Sequence, residues 1–172
     1  EKSNIDLPID KKSKKLKKAI HNVKSQLNKA KINLHQDFKV EFSHHKGMEN
    51  FDKIGAVIID CINREYCKKL IIQTPGQAHP THYHKIKEEC FQLLAGDVTV
   101  IIDGKKKKLI LGEIVLIQRG VWHSFLTENG CVVEEISTTH INNDSFYKDV
   151  KINSMKREDR KTVVDNWGRF EI

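Results

Sequence analysis

Two hydrophobic periods divide the chain. Up to about residue 34, Leu16, Ile20, Val23, Leu27, Ala30 and Leu34 recur at three- and four-residue steps, with lysines between them. That spacing gathers the apolar side chains into one stripe and predicts an amphipathic helix. Asp10, two residues beyond Pro8, is its expected N-cap. From Phe38 the period becomes two, with Phe38, Val40 and Phe42 alternating with polar residues. Strands are predicted over 56–60, 69–73, 89–94, 98–102, 108–111, 114–117, 122–127 and 131–137. They are short and β-branched, separated by Gly, Asp and Asn turns, with no helices between them. Such a run folds as a sandwich or barrel. After about Asn142 the chain turns polar and irregular, with Trp167 and Phe170 as docking residues. The reading is therefore a basic helical segment over 1–37, a β-barrel over 38–150 and a tail over 151–172.

Composition adds little to that picture, whereas charge narrows it. With 172 residues, 38% hydrophobic and 31% charged, the chain matches one ordinary globular domain with an appended segment. The net charge of +7 suggests nucleic acid, but residues 1–50 hold twelve lysines against six acids, leaving the rest nearly balanced. Lys105 to Lys108 follow Asp103-Gly104, a hairpin-turn signal, so that second basic run is expected to be solvated. No nucleic-acid motif accompanies the charge, and no nucleic-acid partner is expected. No apolar run is long enough to span a membrane. The helix stripe also lacks the Trp or Phe of a membrane-surface helix, so no membrane partner is expected. Cys61, Cys67, Cys90 and Cys131 form no C-x-x-C pair and read as buried free thiols of a cytoplasmic protein. Residues 1–4 lack the apolar region of a signal peptide. A start on Glu1 rather than Met fits a processed or trimmed end, or a piece of a longer polypeptide.

The chemistry concentrates between Pro75 and Glu89. His82 and His84 lie two apart, so on an extended strand both imidazoles project from one face. Glu89 opens the next strand and can reach back to them, and His123 follows Gly112 and Gly120 on a later one. Three neutral imidazoles and one carboxylate suit one divalent transition metal: Mn, Fe, Ni, Co or Zn. In an octahedral shell two neighbouring positions would stay open for a chelating ligand. Lys87 shares parity with Glu89, Phe91 and Leu93 and would point to the same side. His44 and His45 read as loop residues rather than ligands.

This pattern resembles the cupin superfamily, whose first motif, G-x5-H-x-H-x3-4-E-x6-G, is matched by Gly76, His82, His84, Glu89 and Gly96. The second, G-x5-P-x-G-x2-H-x3-N, resembles Gly112, Gln118, Gly120, His123 and Thr127, with Gln for Pro and Thr for Asn. The resemblance implies a mainly β fold, the cupin double-stranded β-helix or jelly-roll barrel, here with an N-terminal amphipathic helix. It assigns the metal to His82, His84, Glu89 and His123.

A closer resemblance is to the D-lyxose isomerase family of cupins. It is carried by Arg64-x-Tyr66-Cys67-x-Lys69, Pro75-Gly76-Gln77, Lys87-x-Glu89-x-Phe91, Val133-x-Glu135-x-Ser137-Thr138-Thr139 and Asp144-Ser145-Phe146 to Asp149. It implies manganese as the favoured metal, a small-molecule sugar as ligand, and aldose–ketose isomerisation with Lys87 and Glu135 as catalytic residues. The cation would stabilise enediolate charge while the two side chains move protons, and proximity to it would lower the Lys87 pKa. Glu134 competes with Glu135, but Val133, Glu135 and Ser137 share one strand face. A structural ion pair is the other reading of Lys87 and Glu135.

The lysine-rich helix, the stretch from Ser43 to Gly47 and the two motifs together also resemble the C-terminal cupin domain of N-acetylneuraminate (sialic acid) synthase-type proteins. That resemblance implies a non-catalytic sugar-binding or regulatory domain, and a metal-dependent dioxygenase is a third reading. Cupins commonly pair through sheet edges, so a homodimer is expected, with strand 38–42 and the apolar helix face as contacts.

Overall fold

The computed structural model describes residues 9–167. Pro8 and Phe170 lie outside the described residues, as does the side chain of Asp10. Helix α1 (Ile9–Lys29) comes first, followed by β1 (Lys39–Ser43), β2 (Ala56–Asn63) and β3 (Tyr66–Gln73). Next are β4 (His82–Tyr83), β5 (Glu89–Gly96), β6 (Thr99–Ile102), β7 (Lys105–Lys108) and β8 (Ile114–Ile117). The chain continues through β9 (His123–Leu126), β10 (Cys131–Thr138) and β11 (Phe146–Tyr147). Two four-residue helices, α2 (Val150–Asn153) and α3 (Arg157–Arg160), lead into β12 (Lys161–Val164).

The strands form two antiparallel sheets, ordered β12-β1-β2-β3-β10-β5-β8 and β11-β4-β9-β6-β7. Alternation along each long strand divides its side chains between two cores. Ala56, Ile58, Ile71, Phe91, Leu93 and Val133 pack with Val100 and Phe125 of the smaller sheet. On the opposite face Val40, Phe42, Val57, Ile59, Leu70, Ile72 and Val132 pack under Leu16, Ile20, Val23 and Leu27 of α1. Each buried aliphatic side chain contributes roughly 1.5–3 kcal/mol, so α1 is a structural layer of the domain.

Sequence periodicity overruns α1. The apolar spacing continues to Leu34, yet the helix stops at Lys29. Lys31 takes φ 57°, Lys31 N donates to Asn28 O, and Ile32 N donates to Leu27 O. This is a Schellman closure without glycine, and it returns Ile32 and Leu34 to the same core. Strand β7 also departs from expectation. The two-residue Asp103-Gly104 turn pairs Ile102 with Lys105 directly, so the four exposed lysines are the strand, and of the expected 108–111 only Lys108 belongs to it. Nor is the tail irregular, since β12 pairs with β1 through Val40–Val164 to Ser43–Lys161. Trp167 is buried against the α1 core, and its indole N–H donates to His35 O.

Neither expected dimer contact is available. The apolar face of α1 is buried within its own domain, and β1 is flanked by β2 and β12. All four cysteines are free, and burial pushes the Cys131 thiol up to about 12.

Candidate metal centre

The small sheet and the large sheet each contribute to one buried cluster. Pairing of β4 with β9 sets His82 directly opposite His123, while Glu89 opens β5 and His84 follows β4 by one residue. One potential ligand atom from each of these four residues lies within 4.8 Å of the others. All four side chains are buried.

Backbone carbonyls set the tautomers. His82 Nδ1 lies 2.9 Å from Pro80 O, His84 Nδ1 2.7 Å from Asp144 O and His123 Nδ1 3.0 Å from Val121 O. A ring nitrogen against a carbonyl must carry its proton, so each Nε2 presents a lone pair to the cluster. Burial, aided by His123, His79 and His84, holds the His82 pKa well below its ordinary value and keeps that ring neutral. His123 Nε2 then lies 2.8 Å from Glu89 Oε1, two acceptors face to face. Both Glu89 carboxylate oxygens and His123 Nε2 are buried without a hydrogen-bond partner. Orphaned acceptors converging on one point suit a cation among them. The donor set of three imidazoles and one carboxylate could hold a divalent transition metal.

Lys87 and Glu135 adjoin this cluster. Lys87 Nζ is 2.7 Å from Glu89 Oε2, off the hydrogen-bond direction, and donates to Glu135 Oε2 at 3.2 Å. Glu135 reaches inward from β10, whereas Glu134 faces outward and pairs with Lys68 at 3.2 Å. The expected lowering of the Lys87 pKa depends on a bound cation, and the carboxylates around the amine act the other way. Burial favours the neutral amine, but Glu135 and Glu89 overrule it and raise the pKa, so the side chain is an ammonium. Burial likewise favours a neutral Glu89, yet the Lys87 charge beside it holds its carboxyl well below the usual range.

Asp144 organises the loop that carries these groups. Its carboxylate accepts from Lys85 N at 2.9 Å, from Ile86 N at 3.0 Å and from Lys87 N at 2.8 Å. Its own carbonyl fixes His84. One residue thus ties the β4–β5 turn to the ligand set, a role that sequence reasoning missed. The signal was present in the Asp144-Ser145-Phe146 stretch, but only as a family likeness.

The other singled-out residues have structural partners. His45 Nε2 is 2.9 Å from the Tyr147 hydroxyl, and His44 Nε2 is 2.9 Å from Thr162 Oγ1. His79, which sequence reasoning passed over, stacks on Phe125, its pKa lowered by burial to about 3. Gln118 and Thr127 occupy working turns. Val121 N closes on Gln118 O, and Thr127 Oγ1 donates to Asp97 O at 2.6 Å while accepting from Gly130 N. Gly96 takes φ +76°, and a Cβ there would run into the Gly130 carbonyl.

Residues 69–133 match the family model described as a cupin domain. That stretch contains all four residues of the cluster and ends two residues before Glu135. No curated protein matches the sequence. Among solved structures the chain is similar to Cellulomonas parahominis L-ribose isomerase bound to L-ribose, with TM-score 0.67 and 14% identity, over 82% of this chain and 94% of that one. It is similar to Geodermatophilus obscurus L-ribose isomerase at TM-score 0.66 and 15% identity, with the same coverage. Acinetobacter sp. DL28 L-ribose isomerase in complex with L-ribose gives TM-score 0.58 and 14% identity, over 73% of this chain and 80% of that one. Residues 69–133 are thus similar to a cupin domain, and the fold of the chain resembles that of the L-ribose isomerases.

Proposed function

We propose that this chain is a metal-dependent aldose–ketose isomerase acting on a small sugar. The observation that carries this reading is the buried Lys87 ammonium between Glu89 and Glu135, beside four converging ligand residues. Moving a carbonyl between C1 and C2 requires a base for a carbon-bound proton and a donor beside the oxygens. Glu135 is the base: it accepts the C2 proton and returns it at C1. Lys87, held as an ammonium, gives a proton to O1 and recovers one from the O2 hydroxyl as the ketose carbonyl forms. A divalent cation on His82, His84, Glu89 and His123, with manganese favoured, would supply positive charge at the neighbouring oxygens O1 and O2. Burial of these side chains strengthens both contacts.

The fold likeness to L-ribose isomerases supports the reaction class, and the substrate panel should begin with pentoses such as L-ribose. The protein loaded with manganese is expected to interconvert at least one aldose–ketose pair among pentoses, hexoses and N-acetylhexosamines. Oxygen consumption by the iron-loaded protein, without sugar turnover, would replace this reading with an oxygenase. Four free thiols suit a reducing compartment such as the cytoplasm. The exposed edge strand β8, with Ile114 and Leu116 beside Ile110 and Leu111, is the proposed homodimer contact.

A further inference from the structure

Charged residues continue past Glu135 along the inner face of the large sheet. Glu135 on β10 pairs in register with Lys69 on β3, Lys69 with Asp60 on β2, and Asp60 with Lys39 on β1. Glu41 follows on β1, sharing Lys39's face. One step along the same strands, the corresponding row is Val133, Ile71 and Ile58, so the barrel does not require polar side chains there. Beside this charged row lies a cavity of about 560 Å³, lined by Glu41, Asp60, Asn63, Lys69, His140 and Arg157 among others. Its volume is within the roughly 300–1,000 Å³ of small-molecule sites. Lys69, which lines the cavity, pairs in register with Glu135 and so joins it to the cluster already described. Burial first, then the charges of Lys69, Lys87 and Lys161, lower the His140 pKa to about 3 and keep the ring neutral.

Three buried atoms in this cavity's wall have no hydrogen-bond partner: Glu41 Oε2, Asp60 Oδ1 and His140 Nδ1. Two are carboxylate oxygens, which can only accept, so the missing partner is a donor. The cations lining the cavity already face carboxylates. Lys69 Nζ lies 3.5 Å from Asp60 Oδ1 without hydrogen-bonding to it, the Arg157 guanidinium meets Glu41 Oε1, and Lys39 lies 3.9 Å from Asp165. A phosphate or carboxylate would bring further acceptors to a wall whose cations are matched. A hydroxyl brings the donor that the wall lacks.

We infer that this cavity is a second compartment of the sugar site, holding the hydroxyl-bearing tail of an uncharged open-chain sugar through Glu41, Asp60 and His140. The inference rests on the sugar reading proposed above. The ligand's reacting end lies at Lys87 and Glu135, and its remaining carbons run across Lys69 into the cavity. Glu41 and Asp60 accept from successive hydroxyls, and the neutral His140 can accept or donate.

Calorimetric titration of the full manganese-loaded chain with glycerol, erythritol, ribitol and ribitol 5-phosphate tests this without turnover, since none can isomerise. Affinity should rise from glycerol to ribitol by about tenfold per ordered hydroxyl, the scale of a hydrogen bond to a charged group. Ribitol 5-phosphate should bind more weakly than ribitol. Asp60→Asn and Glu41→Gln should each shrink the ribitol-to-glycerol affinity ratio about tenfold. The Asp60 side chain is 29% exposed, so Asp60→Asn decides the matter if Glu41→Gln does not fold. Equal affinity for all three polyols, or tighter binding of the phosphate ester, overturns the inference and leaves the sugar reading standing. Binding of no polyol overturns both.

Discussion

Replacing Asp144 by Ala should loosen the site without touching a ligand side chain. The carboxylate serves three backbone N–H groups, those of Lys85 and Ile86 part-buried and that of Lys87 buried. Stranding the Lys87 amide costs about 1–3 kcal/mol, while the two wetter amides recover water and cost about 0.5–1.5 kcal/mol each. The total is about 2–6 kcal/mol, and each kcal/mol moves the Tm of a chain this size by about 2–4 °C. The turn that positions Lys87 and follows His84 would then sample other conformations, lowering metal affinity by about 10–100-fold. Thermal denaturation and chelator competition for manganese measure the two effects separately. Asp144→Asn, which retains one acceptor oxygen, should fall between Ala and the parent in both. An Ala variant within about 2 °C and threefold of the parent would refute this role for Asp144.

Three other outcomes follow from the packing and the charges. Leu27→Ala, in the helix layer over the large sheet, should cost about 2–5 kcal/mol in urea denaturation, and a loss under 1 kcal/mol would detach α1 from the cooperative fold. Asp60 is raised from 3.8 to about 6 by burial, with Lys69 opposing and Glu41 adding; the penalty is absent below about pH 4 and complete above about pH 6. Asp60→Asn, which mimics the protonated acid, should therefore stabilise the fold by on the order of 1–3 kcal/mol near pH 8 but not near pH 4, and a gain that does not depend on pH would contradict this. Light scattering at micromolar concentration should report a dimer that Leu116→Lys converts to monomer, and an unchanged dimer would move the contact away from β8.

Local signals made much of this architecture legible from the chain. A three- and four-residue apolar repeat marked α1, and period-two alternation located most of the long strands, because both follow from geometry within one element. The quartet that could hold a metal was legible because His82, His84 and Glu89 are close in sequence. The end of α1 was not, since Lys31 adopts a left-handed conformation that glycine usually signals. β12 hid in a polar tail, although Thr162, Val163 and Val164 form a short β-branched run. Asp144 acts on backbone amides 57 to 59 residues away, and backbone partners leave no pattern in side-chain identity. The second compartment draws Glu41, Asp60, Lys69, His140 and Arg157 from five separate stretches. Singly, each reads as an ordinary surface charge or loop histidine.

Solvent deuterium incorporation at C2 of an aldose tests the central claim most directly, because it reports proton abstraction without requiring the product to be known. The manganese-loaded protein should exchange the C2 proton of at least one pentose, hexose or N-acetylhexosamine. Glu135→Gln should bind the same metal and sugar while exchange falls by about a hundredfold or more. Absence of exchange by the parent protein across the whole panel, or full exchange by Glu135→Gln, would contradict the account.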